Sequence, residues 1–139
     1  MNPTKFLLAT VIYFVASFAM GYLWHITQFK SLYDGFMIFG EKTLEPDMTT
    51  LVAGTILEAL AFAYLYTRFS AGRNNVLFGI TLAVCMYLFA SSYGVFAIAA
   101  TAKIQGNGTT SFILTELAYM VVAGIVCGGL VGSLVKKQP

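Results

Sequence analysis

The sequence has few charged residues. Eight lysines and arginines and six acidic residues make up 10% of its 139 residues, whereas 58% are hydrophobic. A soluble domain carries about 25% charged residues, which it needs to cover its surface. The shortage therefore excludes an ordinary soluble domain. The formal net charge of +2, with no cluster of lysine or arginine, also argues against nucleic acid as a partner.

Cysteine and histidine, which build disulfide frameworks and metal sites, are also scarce. Cys85 and Cys127 have no paired spacing and lie in apolar stretches, so we interpret both as small apolar residues. The single histidine, His25, excludes a haem with two histidine ligands from one chain. The sequence contains no phosphate-binding loop, dinucleotide fingerprint, serine nucleophile elbow or H-E-x-x-H motif. An enzyme is therefore not favoured, and the cofactor is unknown.

Long stretches without charge are what the sequence does have. Lys5 and Lys30 bracket 24 uncharged residues, and Arg73 and Lys103 bracket 29; two further stretches hold a single acid each. A hydrocarbon core about 30 Å thick takes about 20 helical residues. We predict an all-α integral membrane protein, a four-transmembrane-helix bundle that forms one domain over residues 1–139. The predicted spans are roughly 6–27, 49–68, 75–102 and 111–135. The first is too long for a typical signal-peptide core, so we predict that it is retained.

Basic residues are unequally divided between the two ends of the predicted spans. In a four-span chain the N-terminus, the second loop and the C-terminus share one side. Because lysine and arginine of short loops collect on the cytoplasmic side, we predict that both termini are cytoplasmic. The side of the termini holds Lys5, Arg68, Arg73, Lys136 and Lys137, and the opposite side holds Lys30, Lys42 and Lys103.

The first loop is long and not simply polar. Its segment FKSLYDGFMIFG carries apolar residues at helical spacing, which predicts a short amphipathic helix at the outer membrane interface. Gly35 weakens this pattern, and the alternative is an aromatic loop that dips into the headgroup layer. The predicted apolar face consists of Phe29, Leu32, Tyr33, Phe36 and Met37.

A strip of glycines in the fourth span predicts close helix packing. Gly124, Gly128 and Gly132 form two overlapping G-x-x-x-G steps, which let helix backbones approach each other in a membrane. Weaker pairs of small residues occur at Ser17 and Gly21 and at Ala90 and Gly94. The pattern leaves open whether the partner is another span, a second copy of the chain or a different protein.

Two acidic residues lie inside predicted spans. Glu58 lies about 13 Å into the second span, where an ionised carboxylate costs several kcal/mol. Gly54 and Ala61 flank it at helical spacing, so we expect Glu58 to face the bundle. Glu116 lies near the start of the fourth span, and His25 lies at the end of the first. The predicted constellation, which converges between the spans and opens outward, consists of His25, Glu58, Glu116 and Tyr119.

Each of these residues also has a purely structural interpretation. A histidine beside Trp24 is typical of a membrane interface, and the start of its own helix could satisfy Glu116. Glu58 could be a protonated acid that is hydrogen-bonded across the bundle, although an acid inside a membrane is a functional-site hypothesis by default. Mixed ligation by His25 and the two acids would suit zinc or iron, but the spacing specifies no metal.

Two segments of the sequence resemble a family of membrane proteins. The first span ends with GYLWHITQFKSLYDG, and the last reads ELAYMVVAGIVCGGLVGSL. This resembles an uncharacterised family of small four-span bacterial membrane proteins, whose first span closes with G-x-L-W-[YH] followed by Phe. The resemblance implies a bacterial inner-membrane protein of unknown activity and carries over no catalytic residues. The matching residues are Gly21, Leu23, Trp24, His25, Phe29, Gly124 and Gly128.

Two classes of function fit this sequence. The first is a non-catalytic membrane protein, either self-associating or an accessory subunit of a larger membrane complex; the glycine strip and the missing motifs favour it. The second is a small transport, ligand-binding or ion-binding protein that works through Glu58, Glu116 and His25. An ion or lipid bound between spans 1, 2 and 4 would favour the second class. A dry bundle whose glycine strip contacts another chain would favour the first.

Overall fold

Four helices long and apolar enough to cross a membrane dominate the structure, a computed structural model. It describes residues 2–29, 37–38, 41–42, 48–71, 73, 75–103 and 108–135. The spans are Pro3–Gln28, Met48–Phe69, Asn75–Ala100 and Gly108–Leu134. These four helices confirm the prediction of an all-α, four-helix integral membrane protein. The physical reason is that a long uncharged stretch in lipid can satisfy its backbone hydrogen bonds within itself only as a helix.

One of the spans changes its helical type along its length. Four α-helices and one π-helical segment make up the spans, and the π segment directly continues the first α-helix. The bounds are Pro3–Gly21 for α1, Tyr22–Gln28 for the π segment, Met48–Phe69 for α2, Asn75–Thr101 for α3 and Gly108–Leu134 for α4.

The first and third loops meet at one end of the bundle. Three two-residue strands pair there in an antiparallel sheet of order β2-β1-β3. Met37 of β1 pairs with Lys42 on one side and with Lys103 on the other. We call this end the loop side, and the opposite end, where α1 begins and α4 ends, the terminal side. The strands are Met37–Ile38 for β1, Glu41–Lys42 for β2 and Ala102–Lys103 for β3.

The interfacial helix predicted for the first loop lies mostly outside the described residues. Over residues 30–36 it stays a prediction. Of its predicted apolar face, Phe29 directly follows the π segment and Met37 lies in β1. Met37 departs from the prediction because its backbone pairs with two other strands, and an extended residue does not continue a helix.

The glycine strip of α4 packs against α3 of the same chain. A Cβ atom on Gly128 would collide with the carbonyl group of Gly79, and a Cβ atom on Gly79 would collide with the carbonyl oxygen of Gly128. The two backbones therefore lie so close that only glycine fits at these positions. The other glycines of the strip are equally close to α3: Gly124 to Val84, and Gly132 to Asn75 and Val76.

The two weaker small-residue pairs have different outcomes. Ala90 and Gly94 contact no described span of this chain: both residues are exposed, and no described atom lies within 4 Å of a Cβ built on Gly94, so a contact there with another chain stays a prediction. In the first span Ser17 is buried, and a Cβ on Gly21 would lie 3.4 Å from the hydroxyl oxygen of Tyr119. The spacing of small residues permits a contact but does not say which face of the helix is inside.

The other contacts fix the order of the helices around the bundle. α1 packs closely against α2 and also contacts α4, whereas α2 and α3 touch at few positions. The neighbours around the bundle are thus α2, α1, α4 and α3. Small and aromatic residues at helical spacing are buried on α1 and α2: Ala9, Tyr13, Ala16 and Ser17 on the first, and Ala59, Phe62, Ala63 and Tyr66 on the second.

Candidate functional site

His25 and Glu116 form a pair across the bundle. The Nε2 atom of His25 lies 3.2 Å from Oε1 of Glu116. The histidine side chain is 33% exposed, and the glutamate side chain is 11% exposed. On its other side, the Nδ1 atom of His25 lies 3.0 Å from the backbone carbonyl oxygen of Gly21. The ring is therefore held by hydrogen-bonding groups at both nitrogens.

These two contacts determine how many protons the pair holds. A backbone carbonyl oxygen can only accept, so Nδ1 carries a hydrogen and donates it to Gly21. The contact between Nε2 and the carboxylate oxygen then requires one more proton between His25 and Glu116. Whether this proton resides on nitrogen or on oxygen, the pair as a whole is electrically neutral.

The π segment sets the position of His25. In a π-helix each backbone N–H bonds to the carbonyl five residues back, and such turns are rare and frequent at functional sites. At the end of the segment, the N–H of Phe29 donates to the carbonyl of Trp24 at 3.0 Å. The wider turn changes the direction in which side chains leave the helix. No sequence feature predicts this turn, since nothing in YLWHITQ distinguishes it from a continuing α-helix.

Glu58 lies between α2 and α1, where it accepts a hydrogen bond. The hydroxyl of Tyr13 donates to Oε1 of Glu58 at 2.9 Å. Tyr13 is completely buried, and its ring stacks on Phe62 with centroids 4.2 Å apart. Among the described residues, no basic side chain forms an ion pair with this carboxyl group. Glu58 therefore faces the bundle with a neutral donor and no cation beside it.

The flanking residues used to predict this orientation do not produce it. Gly54 and Ala61, which we expected to receive a neighbouring helix, are both exposed. The residues of α2 that are buried near the acid are Ala59 and Ala63. Glu58 faces inward because it borders this alanine stripe. The predicted inward orientation of Glu58 is therefore correct, but Gly54 and Ala61 are not its cause.

Tyr119 lies between the histidine pair and the centre of the bundle. Its ring stands edge-on to His25, with centroids 4.7 Å apart, and edge-on to Tyr87, with centroids 5.9 Å apart. Its hydroxyl approaches Gly21 so closely that a Cβ atom there would be at the limit of an ordinary contact. The structure thus brings His25, Glu116 and Tyr119 into one cluster.

A cavity of about 340 Å³ connects this cluster with Glu58. All four spans contribute to its walls, and it reaches the loop side, because its lining includes Met48, the first residue of α2. Of the four residues singled out in the sequence, three line the cavity, and Glu116 lies behind His25. The residues that line it are Ser17, Phe18, Gly21, Tyr22, His25, Ile26, Met48, Leu51, Thr55, Glu58, Tyr87, Ser91 and Tyr119.

Sequence reasoning missed several polar residues of this site. Tyr13 holds Glu58, and the hydroxyl of Tyr87 lies 2.7 Å from Oγ of Ser17, with either group able to donate. Tyr87 is also 3.9 Å from the sulfur of Cys127, which the sequence indicated only as an apolar residue. A signal was available, because Tyr13 and Ser17 are polar residues one helical turn apart inside an uncharged span.

The site does not have the arrangement of a metal centre. Within the described part of the chain, no three side chains of His, Cys, Asp or Glu form a group that could hold a metal ion. His25 and Glu116 contact each other, whereas Glu58 is bonded to Tyr13 on another wall of the cavity. Mixed ligation by the histidine and both acids is therefore not assembled in this structure.

The resemblance drawn from the G-x-L-W-H segment and the glycine-rich last span stays a prediction. Comparison of the chain with protein-family models, with curated proteins and with solved structures finds no match to any of them.

Proposed function

We propose that this integral membrane protein binds a small organic cation in the cavity between its four spans. The observation that carries the proposal is an acid, Glu58, in the wall of a mostly apolar and aromatic cavity, with no basic side chain paired to it among the described residues. This is the ligand-binding alternative that the sequence left open. The cavity between the spans and the contacts of the glycine strip inside the chain favour it.

The balance of charge points to a positive ligand. The pair of His25 and Glu116 is neutral as a unit, so it offers no net charge to a ligand. Glu58 is the other acid inside the described spans, and an ionised carboxylate inside a membrane is costly unless it is paired. A cation that enters the cavity supplies the missing partner. Tyr13, which donates to the same carboxyl group, keeps it pointed at the cavity.

The size and walls of the cavity favour an organic cation over a bare metal ion. A volume of about 340 Å³ lies at the lower end of the range for small-molecule sites. The rings of Tyr22, Tyr87 and Tyr119 line it, and aromatic faces attract cationic groups. Towards the terminal side the bundle is filled by Tyr13 stacked on Phe62. A ligand can therefore enter the cavity only from the loop side, and transport across the membrane would require a second opening on the terminal side.

The location we propose is a bacterial inner membrane, with both termini cytoplasmic. Two sequence features support it: the excess of basic residues on the side of the termini and the resemblance to a four-span bacterial family. Of the basic residues counted, Lys30, Lys136 and Lys137 lie outside the described residues. In this orientation the cavity opens to the outer face of the membrane, and the lipid bilayer is the surrounding partner.

Trp24 provides a direct test, because it is the only tryptophan and its ring lies 5.8 Å from that of Tyr119. The probe is benzyltrimethylammonium, which has an aromatic body and a fixed positive charge. Titration into purified protein in detergent should change the tryptophan fluorescence in a saturable way. Glu58→Gln keeps the size and the hydrogen-bond acceptor but removes the charge. It should weaken binding at least about tenfold, or about 1.4 kcal/mol.

Two controls separate binding from indirect effects. Tyr93→Phe changes an aromatic residue that is 83% exposed on the outside of α3, and it should leave the titration unchanged. Neopentylbenzene, the neutral isostere of the probe, should bind with the same strength to the wild type and to Glu58→Gln. Equal binding of the cation to wild type and Glu58→Gln, with both proteins folded by circular dichroism, would refute the proposal and leave Glu58 a packing role.

Self-association or membership of a larger membrane complex is the competing function. The glycine strip is a sequence feature that favours this function, but in the structure the strip contacts α3 of the same chain. Contact with another chain therefore needs a different surface, and the outer face of α3 offers one, with Phe89 85% and Tyr93 83% exposed. Cysteine cross-linking at Phe89 in native membranes would distinguish the two: a specific dimer supports association, and its absence leaves this face to lipid.

A further inference from the structure

A second cavity of about 340 Å³ lies at the terminal side, away from the site around Glu58. It is bounded by the start of α1, the end of α2, the start of α3 and the residue that follows α4. Its polar lining includes Asn2, Lys5, Tyr66, Ser70 and Asn75. None of its lining residues is acidic. The cavity thus combines one positive charge with neutral polar groups, at the level where the helices leave the membrane.

Two buried polar atoms at this cavity have no partner among the described residues: the hydroxyl of Tyr66 and Oδ1 of Asn75. Tyr66 is only 2% exposed. Its ring packs between Phe62 and Phe78, with centroid distances of 5.8 and 6.0 Å, and the residue lines the cavity. Buried polar groups without a partner are uncommon and destabilising, and each calls for an explanation.

The other polar groups show what would satisfy them. The side-chain oxygen of Asn2 already accepts from the backbone N–H groups of Thr4 and Lys5, which leaves its amide hydrogens to donate. The ammonium group of Lys5 is a hydrogen-bond donor and never an acceptor, and the hydroxyls of Tyr66 and Ser70 can also donate hydrogen bonds. A cation with several neutral donors around one cavity is the arrangement that binds a phosphate group.

We infer that this cavity holds the phosphate group of a membrane lipid. The cavity lies where four membrane-crossing helices begin or end, which is the depth of lipid headgroups. The hydroxyl of Tyr66 and the ammonium of Lys5 donate to the phosphate oxygens. Oδ1 of Asn75 accepts from the hydroxyl or ammonium at the end of the headgroup. The inference does not depend on what binds beside Glu58.

Thermal unfolding of delipidated protein in a neutral detergent tests it. Phosphatidylglycerol should raise the unfolding midpoint of the wild type, and the rise should grow with the logarithm of its concentration above the Kd, whereas diacylglycerol, which lacks the phosphate, should cause no rise. Tyr66→Phe removes only the hydroxyl. Without lipid it should be as stable as the wild type or more stable, and with phosphatidylglycerol it should lose at least half of the rise. Lys5→Gln should lose the rise as well.

Matched controls on α2 are Tyr64→Phe and Arg68→Gln, which change an exposed tyrosine and an exposed arginine near the same end. Both should keep the full rise. An undiminished rise in Tyr66→Phe and Lys5→Gln, or an equal rise with diacylglycerol, would overturn the site. A rise of the same size with inorganic phosphate alone would assign the cavity to a soluble phosphate compound and overturn the lipid as its ligand.

Discussion

Replacing Gly128 by alanine tests the contact between α4 and α3. The added Cβ would lie 2.7 Å from the backbone nitrogen of Ile80 and closer still to the carbonyl of Gly79. An ordinary van der Waals contact begins near 3.4 Å. The two helices must therefore separate locally by at least about 0.7 Å, and because the obstacle is backbone, no side chain can rotate away to relieve it.

The expected cost follows from this separation. Forcing an extra carbon into a packed interface costs about 1–3 kcal/mol. Alanine also favours a helix over glycine by about 1 kcal/mol, which acts in the opposite direction. The matched control is Gly129→Ala, whose Cβ would lie 3.7 Å from a side-chain carbon of Ile80, an ordinary contact. We expect Gly128→Ala to be less stable than Gly129→Ala by about 1–3 kcal/mol.

Reversible unfolding in mixed micelles, followed by circular dichroism, measures this difference for protein confirmed as monomer by light scattering. The use of monomer matters, because a contact within the chain must act on the isolated molecule. Equal stability of Gly128→Ala and Gly129→Ala would refute the packing of the glycine strip against α3. Loss of an oligomer with unchanged monomer stability would instead place the strip between chains.

Three further predictions concern the polar residues and the topology. A double-mutant cycle of His25→Ala and Glu116→Ala should give a coupling energy of about 0.5–2 kcal/mol in unfolding experiments, and additive effects would contradict the pair. Tyr13→Phe should cost about 1 kcal/mol of unfolding free energy, because it leaves the α2 carboxyl group without its donor; an unchanged midpoint would contradict that bond. In intact cells, an impermeant thiol reagent should label Ser31→Cys and not Asn74→Cys, and the reverse pattern would end the model with both termini inside.

The spans could be predicted from the sequence because one physical requirement determines them. An uncharged stretch of more than 20 residues must satisfy its own backbone in lipid, which leaves a helix as the solution. The glycine strip was equally informative about the need for close contact. Its partner, Gly79, was harder to identify, although the small residues Gly79 and Ala83 lie one turn apart on α3. Ala90 and Gly94 show the same spacing on an exposed face, so spacing alone could not choose between them.

The candidate site was harder to predict than the fold, because it depends on where helices meet. Glu58 and His25 stand out in the sequence, since charged or titratable residues are rare inside a membrane. Tyr13 and Tyr87 stand out less, because tyrosine carries no charge and is also common at membrane interfaces; the spacing of Tyr13 and Ser17 is only a weak signal. Only the packing of α1 against α2 shows that the hydroxyl of Tyr13 reaches the acid. The π segment that positions the histidine has no sequence signature at all.

The bundle is held together unevenly, and the cavity lies at its loosest side. α3 and α4 touch backbone to backbone, and α1 packs closely on α2, whereas α2 and α3 touch at few positions. The cavity lies behind this loose contact, since Thr55 and Glu58 of α2 face Tyr87 and Ser91 of α3 across it. The cavity reaches the loop side beside this loose contact, and the carboxyl group of Glu58, which accepts from Tyr13, lies in its wall. A ligand can therefore reach the carboxyl group while the glycine strip stays packed, which makes Gly128→Ala a test of stability and Glu58→Gln a test of binding.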